Sequence, residues 1–332
     1  MSVWRFPNDF QEVSMKIAVI AGGRTAEAEG TLGSAEQLAR AAAELGHHTS
    51  LVSVEAAGHP QDRMSALLKA AEHDVAIPLI PGLEGTLEFL DVPYVGSSPV
   101  AAGIAAHKGL FNDLLVAAGL GKVRYVYGSG PEVLSMWQKA DMSLPVFVKP
   151  ARLGASYGIS RVTTAHELSD AINAAAEHDP VVLIEESVPT PFTEYEVPII
   201  AGREIVSAPP GQVCLPQAAE WHDTLSKYSL DAETSRTISR TGDAELDSRL
   251  MEAALAAASL AGVACAARVD LFVDAHGQVY VGEINALPGQ GFNSNFPRIF
   301  ELAGFSRPRQ LELMIDSALF HRQLKRAGAY AF

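Results

Sequence analysis

The sequence predicts an α/β protein that opens with a doubly wound parallel sheet and ends in an antiparallel one, with a smaller unit between them. Three observations carry this. Short apolar runs alternate with helical periodicity from residue 16 to about residue 80, the pattern of a parallel sheet covered by helices. In mid-chain, a glycine-rich interruption, ARLGASYG, separates two apolar runs. Further on, RVDLFVDAHGQVYVGEIN alternates with period two on both sides of a glycine turn, which reads as an antiparallel hairpin.

Taken in order, MSVWRFPNDFQEVS lacks an apolar core and contains acids, so residues 1–14 read as an extension ahead of the first strand rather than a signal peptide. KIAVIAGG is a buried-strand run stopped by glycines, and GSAEQLARAAAELGHH is a helix closed by one. TSLVSVE and DVAIPLI are further strands, with helical MSALLKAAEH between them. In such a sheet ligands gather beyond the carboxyl ends of the strands. Those ends carry Gly22, Gly23, Arg24 and Glu27, and later Pro81 to Gly85. No GxGxxG follows the first strand, so no dinucleotide site is expected. This first unit spans residues 15–100.

The second unit, 101–190, predicts a helix from about Ala101 to Ala118 carrying Lys108. After it come the strands VFVKP, GISRV and VVLIEE around a helix near Ala165 to Glu177. The third, 191–332, holds alternating strands, a polar loop around Trp221 to Ser229, an alanine-rich helix and the hairpin.

Composition narrows the function classes. A formal net charge of −14 argues against a nucleic-acid or anionic-membrane surface, which would need a basic patch, and makes local Lys or Arg necessary wherever a polyanion binds. The apolar stretch Ala253 to Ala267 is too short to span a bilayer. Cys214 and Cys265 are too few for a disulfide framework and lack metal-ligand spacing. The expectation is a soluble cytoplasmic protein.

Two stretches carry chemistry. Lys149 ends an apolar run just before the glycine-rich segment, which reads either as an ordinary hairpin turn or as a flap folding over phosphates. In the hairpin, a turn at DAHG sets Asp270 opposite Val281 and diagonal to Glu283, and puts Arg268, Asp270, Glu283 and Asn285 on one face. Two carboxylates and an amide oxygen suit Mg²⁺ or Mn²⁺. A solvated strand face is the plainer reading, and the LPGQG that follows Asn285 favours a site.

Over most of its length, from about Lys16, the chain resembles the ATP-grasp superfamily and, within it, the D-alanine–D-alanine ligases. The matching stretches are AGGRTAEAEGTLGSA, GTLEFLDVPYVGSS, PVFVKPARLGASYGISRV, VLIEE, ARVDLFVDAHGQVYVGEINALPG and NFPRIFELAG. The resemblance implies an α+β ATP-grasp fold, ATP and Mg²⁺ (or Mn²⁺) as cofactors, amino-acid substrates and a homodimer. It makes Lys108 and Lys149 the phosphate lysines, LGASYG the flap and Ser156 its phosphate-facing hydroxyl. It implies Glu185 on the adenine side, Glu194 on the ribose, and Lys227 and Tyr228 in a loop closing over the nucleotide. Asp270, Glu283 and Asn285 become metal ligands, and Arg268 the stabiliser of the acyl phosphate. Glu27 receives the first amino acid's ammonium, and Gly289 and Ser294 lie where the second carboxylate binds.

The chain departs from the family at three places. PLIPGLEGT stands where the ligases carry an HGxxGEDG-like segment, with Glu84 for an aspartate and no histidine. The flap has Ala155 in place of its first serine, and GQGFNSNF brings Phe292 and Asn295 into the second-substrate loop. The expected activity is ATP-dependent joining of a carboxylate to an amine through an acyl phosphate. The alternatives are a ligase joining other amino acids in a specialised peptide or antibiotic pathway, and a non-catalytic ATP-binding protein.

Overall fold

The computed structural model describes residues 14–23, 28–55, 59–154, 157–214 and 237–328. Glu27, Ala155, Ser156, Lys227 and Tyr228 lie outside these residues, as do Arg24 and the Trp221 to Ser229 loop.

Strands β1 (Lys16–Gly23), β2 (His48–Glu55) and β3 (Val75–Pro78) form a parallel sheet in the order β2-β1-β3, with Tyr94 bridging to Ala76 beside β3. Helices α1 (Ala28–Glu44) and α2 (Pro60–Ala70) supply the crossovers that parallel pairing requires. Ile17 and Val19 face one side of the sheet and Ala18 and Ile20 the other, and all four are buried in two different cores. Burial on both faces explains why β1 reads as an unbroken apolar run.

A short helix α3 (Glu84–Phe89) leads to α4 (Pro99–Ala106) and α5 (Lys108–Ala117). The continuous helix expected over Ala101 to Ala118 is therefore two helices. His107 leaves helical geometry (φ −93°, ψ 91°), ends α4 and caps α5 by accepting from the Leu110 amide on Nδ1 at 3.2 Å. The break puts Lys108 in the first turn of α5, where its own amide donates to the Ala151 carbonyl at 2.9 Å.

The central antiparallel sheet has the order β4-β7-β5-β6, from β4 (Tyr125–Ser129), β5 (Val146–Pro150), β6 (Ser160–Val162) and β7 (Val181–Glu186). Two helices cover it, α6 (Gly130–Lys139) and α7 (Leu168–Ala176), around a core of its own that includes Val146, Val148, Ile172 and Ile184. β4 and α6 add a strand and a helix to the single helix and three strands expected here.

The C-terminal sheet runs β11-β10-β8-β12-β13, with β9 (Ile205–Ser207) on β8. Its other strands are β8 (Phe192–Ala201), β10 (Gly211–Cys214), β11 (Thr237–Arg240), β12 (Cys265–Asp274) and β13 (Val279–Asn285). The alanine-rich helix α8 (Ala244–Ala261) packs on it with α5. Helices α9 (Asn295–Leu302) and α10 (Arg307–Arg326) put Phe296, Phe300 and Met314 into the same core as Ile17 and Val19 of the parallel sheet. First and third portions thus share a core, while the central sheet has a separate one. Among the described residues no helix is long and apolar enough to cross a membrane, and both cysteines are free thiols.

The hairpin register differs from the one expected. Leu271 pairs with Val281 but Asp270 pairs with Glu283, because a bulge leaves Gly282 unmatched. Glu283 therefore stands directly opposite Asp270 rather than diagonal to it, and Arg268 opposite Asn285. Glycine is needed at the bulge: a Cβ on Gly282 would come within 2.6 Å of the Phe272 ring and 3.0 Å of the Asp270 carbonyl oxygen. We expect Gly282→Ala to cost about 1–3 kcal/mol by overpacking. The melting temperature should fall by several degrees, and an unchanged value would show that the bulge tolerates a side chain.

Candidate active site

The site grows from strand ends and from the bulged hairpin. Lys149 is the fourth residue of β5 and points away from the apolar core positions Val146 and Val148. Its Nζ makes a short ion pair with Glu185 Oε1 on the neighbouring strand β7 and lies 5.6 Å from the Phe147 ring centre. The other oxygen of Glu185 faces Lys122 Nζ at 3.1 Å. Burial alone would raise the Glu185 carboxyl, but the charges of Lys122 and Lys149 outweigh it and hold it down at about 2.

Lys108, at the start of α5, sends its Nζ to the Leu153 carbonyl at 2.7 Å and lies 3.8 Å from Glu283 Oε2. One ammonium thus touches the root of the glycine-rich segment and a carboxylate of the hairpin. Across the hairpin, Arg268 donates from Nε to Asp270 Oδ1 at 2.7 Å and from Nη2 to Oδ2 at 2.8 Å. Its Nε also faces Glu196 Oε2 on β8 at 3.3 Å. Burial raises the Asp270 carboxyl to about 6, with the charges of Glu196 and Glu283 adding to the rise against the pull of Arg268. Asn285 Oδ1 accepts from the Leu287 amide at 3.0 Å, which orients the side chain at the strand's end.

The donor set suits a hard cation. Asp270 and Glu283 are cross-strand partners, and ligand oxygens of Glu194, Glu196 and Asp270 lie within 4.8 Å of one another. Such crowding of carboxylates is costly unless positive charge accompanies it. Asp270, Glu283 and Asn285 offer only oxygen, as Mg²⁺ requires.

Gly289 and Ser294 are neighbours, since a Cβ on Gly289 would sit 2.8 Å from Ser294 Oγ. Ser294 precedes α9, and the next residue, Asn295, donates from Nδ2 to Glu196 Oε1 at 3.0 Å. The Arg307 guanidinium fastens the same loop through the carbonyls of Gln290, Gly291 and Phe292 at 3.2 to 3.4 Å.

The structure thus pairs Lys149 with Glu185 and Lys108 with Glu283, linked through Lys122 on Glu185 and the Gly282 carbonyl, while Glu196 links Arg268 and Asp270 to Ser294's loop. The two groups meet where Glu283 faces Asp270. Glu194 lies on β8, two residues before Glu196 and opposite Phe272 of β12. Sequence reasoning passed over Glu196 and Lys122. Glu196 shares the period-two face of Glu194, a signal that was available; Lys122 follows α5 in a loop, where nothing in the sequence marks it as buried.

A family model described as the D-ala D-ala ligase C-terminus matches residues 126–316, more than half of the chain. The chain belongs to the D-alanine–D-alanine ligase family. It is an ATP-dependent ligase with the ATP-grasp fold. A D-alanine–D-alanine ligase of Frankia casuarinae is 35% identical over 254 residues, 74% of this chain and 66% of that one. One from Geobacillus thermodenitrificans is 30% identical over 272 residues, 78% and 73% of the two. Among solved structures, the Bacillus anthracis D-alanine–D-alanine ligase complexed with ATP superposes with a TM-score of 0.77 at 25% identity, covering 94% of this chain and all of that one.

The Glu185 ion pairs have a testable acid dependence. A folded-state carboxyl at about 2, below its ordinary 4.5, contributes stability above pH 4.5 and loses it as pH falls from 4.5 toward 2. Glu185→Gln should therefore melt well below wild type near neutrality, and the gap should close over that acid interval. A gap independent of pH would show that the ion pairs add no net stability.

Proposed function

We propose that this ligase transfers the γ-phosphoryl group of ATP to the carboxylate of one amino acid, D-alanine in the simplest reading. The amine of a second amino acid then displaces phosphate to form the dipeptide. The observation that supports this best is the gathering of buried cations in a chain of net charge −14, with Lys108 and Arg268 on the hairpin acids Glu283 and Asp270 and Lys149 on Glu185. Phosphoryl transfer is mainly positioning and electrostatic stabilisation, which these groups are arranged to give.

In this reading Lys108 and Lys149 hold the β- and γ-phosphates, and Ser156 of the flap donates to them. Glu185 and Glu194 face the base and ribose. Asp270, Glu283 and Asn285 would hold Mg²⁺ (or Mn²⁺), which when bound supplies positive charge beside the γ-phosphate. Glu27 receives the ammonium of the first amino acid. Gly289 and Ser294 receive the carboxylate of the second, whose neutral amine attacks the acyl carbon. Arg268 steadies the oxyanion that forms there, and phosphate leaves. Lys227 and Tyr228, with the flap, exclude water that would otherwise hydrolyse the acyl phosphate. We place the enzyme in the cytoplasm as a homodimer, with three domains at residues 15–100, 101–190 and 191–332.

A second reading keeps the chemistry and changes the second amino acid. It is favoured by the polar Asn295–Glu196 contact beside Ser294, 3.0 Å long. ADP release measured with D-alanine alone and with D-alanine plus each other amino acid decides between the two. Dependence on D-alanine alone supports the first reading; release only with a mixed pair supports the second. ADP release unaffected by any amino acid would contradict both. In the productive assay, Glu283→Gln and Lys149→Ala should each lower turnover by roughly 10²–10³, the usual loss for a preorganised charge-stabilising group. Near-wild-type turnover in either would remove that residue from the site.

A further inference from the structure

Lys122 is the buried cation that the mechanism above leaves unused. It lies between α5 and β4, its side chain is 3% exposed, and among the described residues its ammonium meets Glu185 and the hairpin carbonyls. Nζ faces Glu185 Oε2 at 3.1 Å and donates to the carbonyls of Val281 at 3.2 Å and Gly282 at 3.1 Å. Gly282 is the bulge residue next to Glu283, and Glu185 is the carboxylate that Lys149 shares. The neighbouring backbone is fastened to the same hairpin. The Val281 amide donates to the Gly121 carbonyl at 2.8 Å, and a Cβ on Gly121 would come within 2.1 Å of the Val279 carbonyl oxygen.

We infer that Lys122 is a positioning residue, which fixes the phosphate lysine Lys149 relative to the hairpin acid Glu283 by sharing Glu185 and holding the bulge carbonyls. The inference rests on the ligase reading given above. Two physical arguments carry it. First, a carboxylate facing one lysine in a buried setting gives that lysine its whole charge, and the lysine then has less to offer a phosphate. With Lys122 on its second oxygen, Glu185 divides its pull between two cations. Secondly, a bulge leaves part of the ladder unmatched, and its carbonyls need donors. Lys122 serves two of them, so the same ammonium sets both the β5–β7 side and the hairpin side of the phosphate position. Burying an ammonium is costly: burial lowers its pKa and the charge of Lys149 lowers it further, against the opposing pull of Glu185. A buried lysine with these contacts is better explained by the site than by core packing.

The test uses Lys122→Met, which keeps the length and removes the charge, and Lys122→Gln, which keeps donors for the carbonyls and also removes the charge. For each, the melting temperature, the Kd of a fluorescent ATP analogue without amino acids, and kcat and KM for ATP and for the amino acids are measured. We expect KM and Kd for the nucleotide to rise roughly ten- to a hundredfold, the range for a lost hydrogen bond to a charged group. The KM for the amino acids should stay within about twofold. In a Glu185→Gln background either change should have much less effect, because the two residues act through each other. If Lys122→Met does not fold, Lys122→Gln decides alone. Unchanged nucleotide affinity in folded protein, or an undiminished effect in the Glu185→Gln background, would overturn the inference. Failure of the wild type to release ADP with any amino-acid pair would instead overturn the ligase reading, and the analogue's Kd, which needs no amino acid, separates the two cases.

Discussion

The carboxylate of Glu185, set between two ammonium groups, is the interaction on which the arrangement of the site depends. It joins the strand leading into the glycine-rich segment to the loop that runs along the acidic hairpin. Charges so deeply buried are tolerated only when each has partners on every side. In a chain of net charge −14 a polyanion must be met by locally placed cations, and they are gathered here. Lys108 completes the circuit from Glu283 back to Leu153 at the segment's root. The central sheet has its own core, separate from the core shared by the other two. Between it and the hairpin the bridging contacts include the Lys122 ammonium, on Glu185 and on the Val281 and Gly282 carbonyls.

The second network is of the opposite balance. Around Arg268 stand Asp270, Glu196 and, across the ladder, Glu283, and burial holds the Asp270 carboxyl at about 6. Arg268 and, on Glu283, Lys108 face three acids, an excess of negative charge that would accommodate a further hard cation. Glu196 also reaches Asn295, so the arginine and the start of α9 are fixed by a single carboxylate.

Much of this was legible in the residues, and what was not has physical causes. The parallel sheet showed in its doubly buried strands, and the hairpin in its period of two. Gly282 was misread because a bulge glycine and an ordinary strand glycine look alike in sequence, and the pairing of Asp270 with Glu283 hangs on that difference. His107 lies between Gly103 and Gly109, both poor helix formers, and at the break the Lys108 amide bonds the Ala151 carbonyl, a partner distant in sequence. β4 and α6 were missed because YVYGS is short and partly exposed, and the ten-residue helix opens with Gly130 and Pro131, which read as a loop. Lys122 was invisible because burial of a loop lysine is decided by elements more than 60 residues further along the chain, Glu185 and Gly282.

The central claim is that these gathered charges serve to pass a phosphoryl group to a carboxylate before any amide bond forms. It is tested most directly by following oxygen. D-alanine labelled with oxygen-18 in its carboxylate is turned over with unlabelled ATP, and the released phosphate is analysed by mass. An acyl phosphate requires one carboxylate oxygen to leave with each phosphate, so the account predicts one label per phosphate formed. Unlabelled phosphate accompanying dipeptide would contradict it.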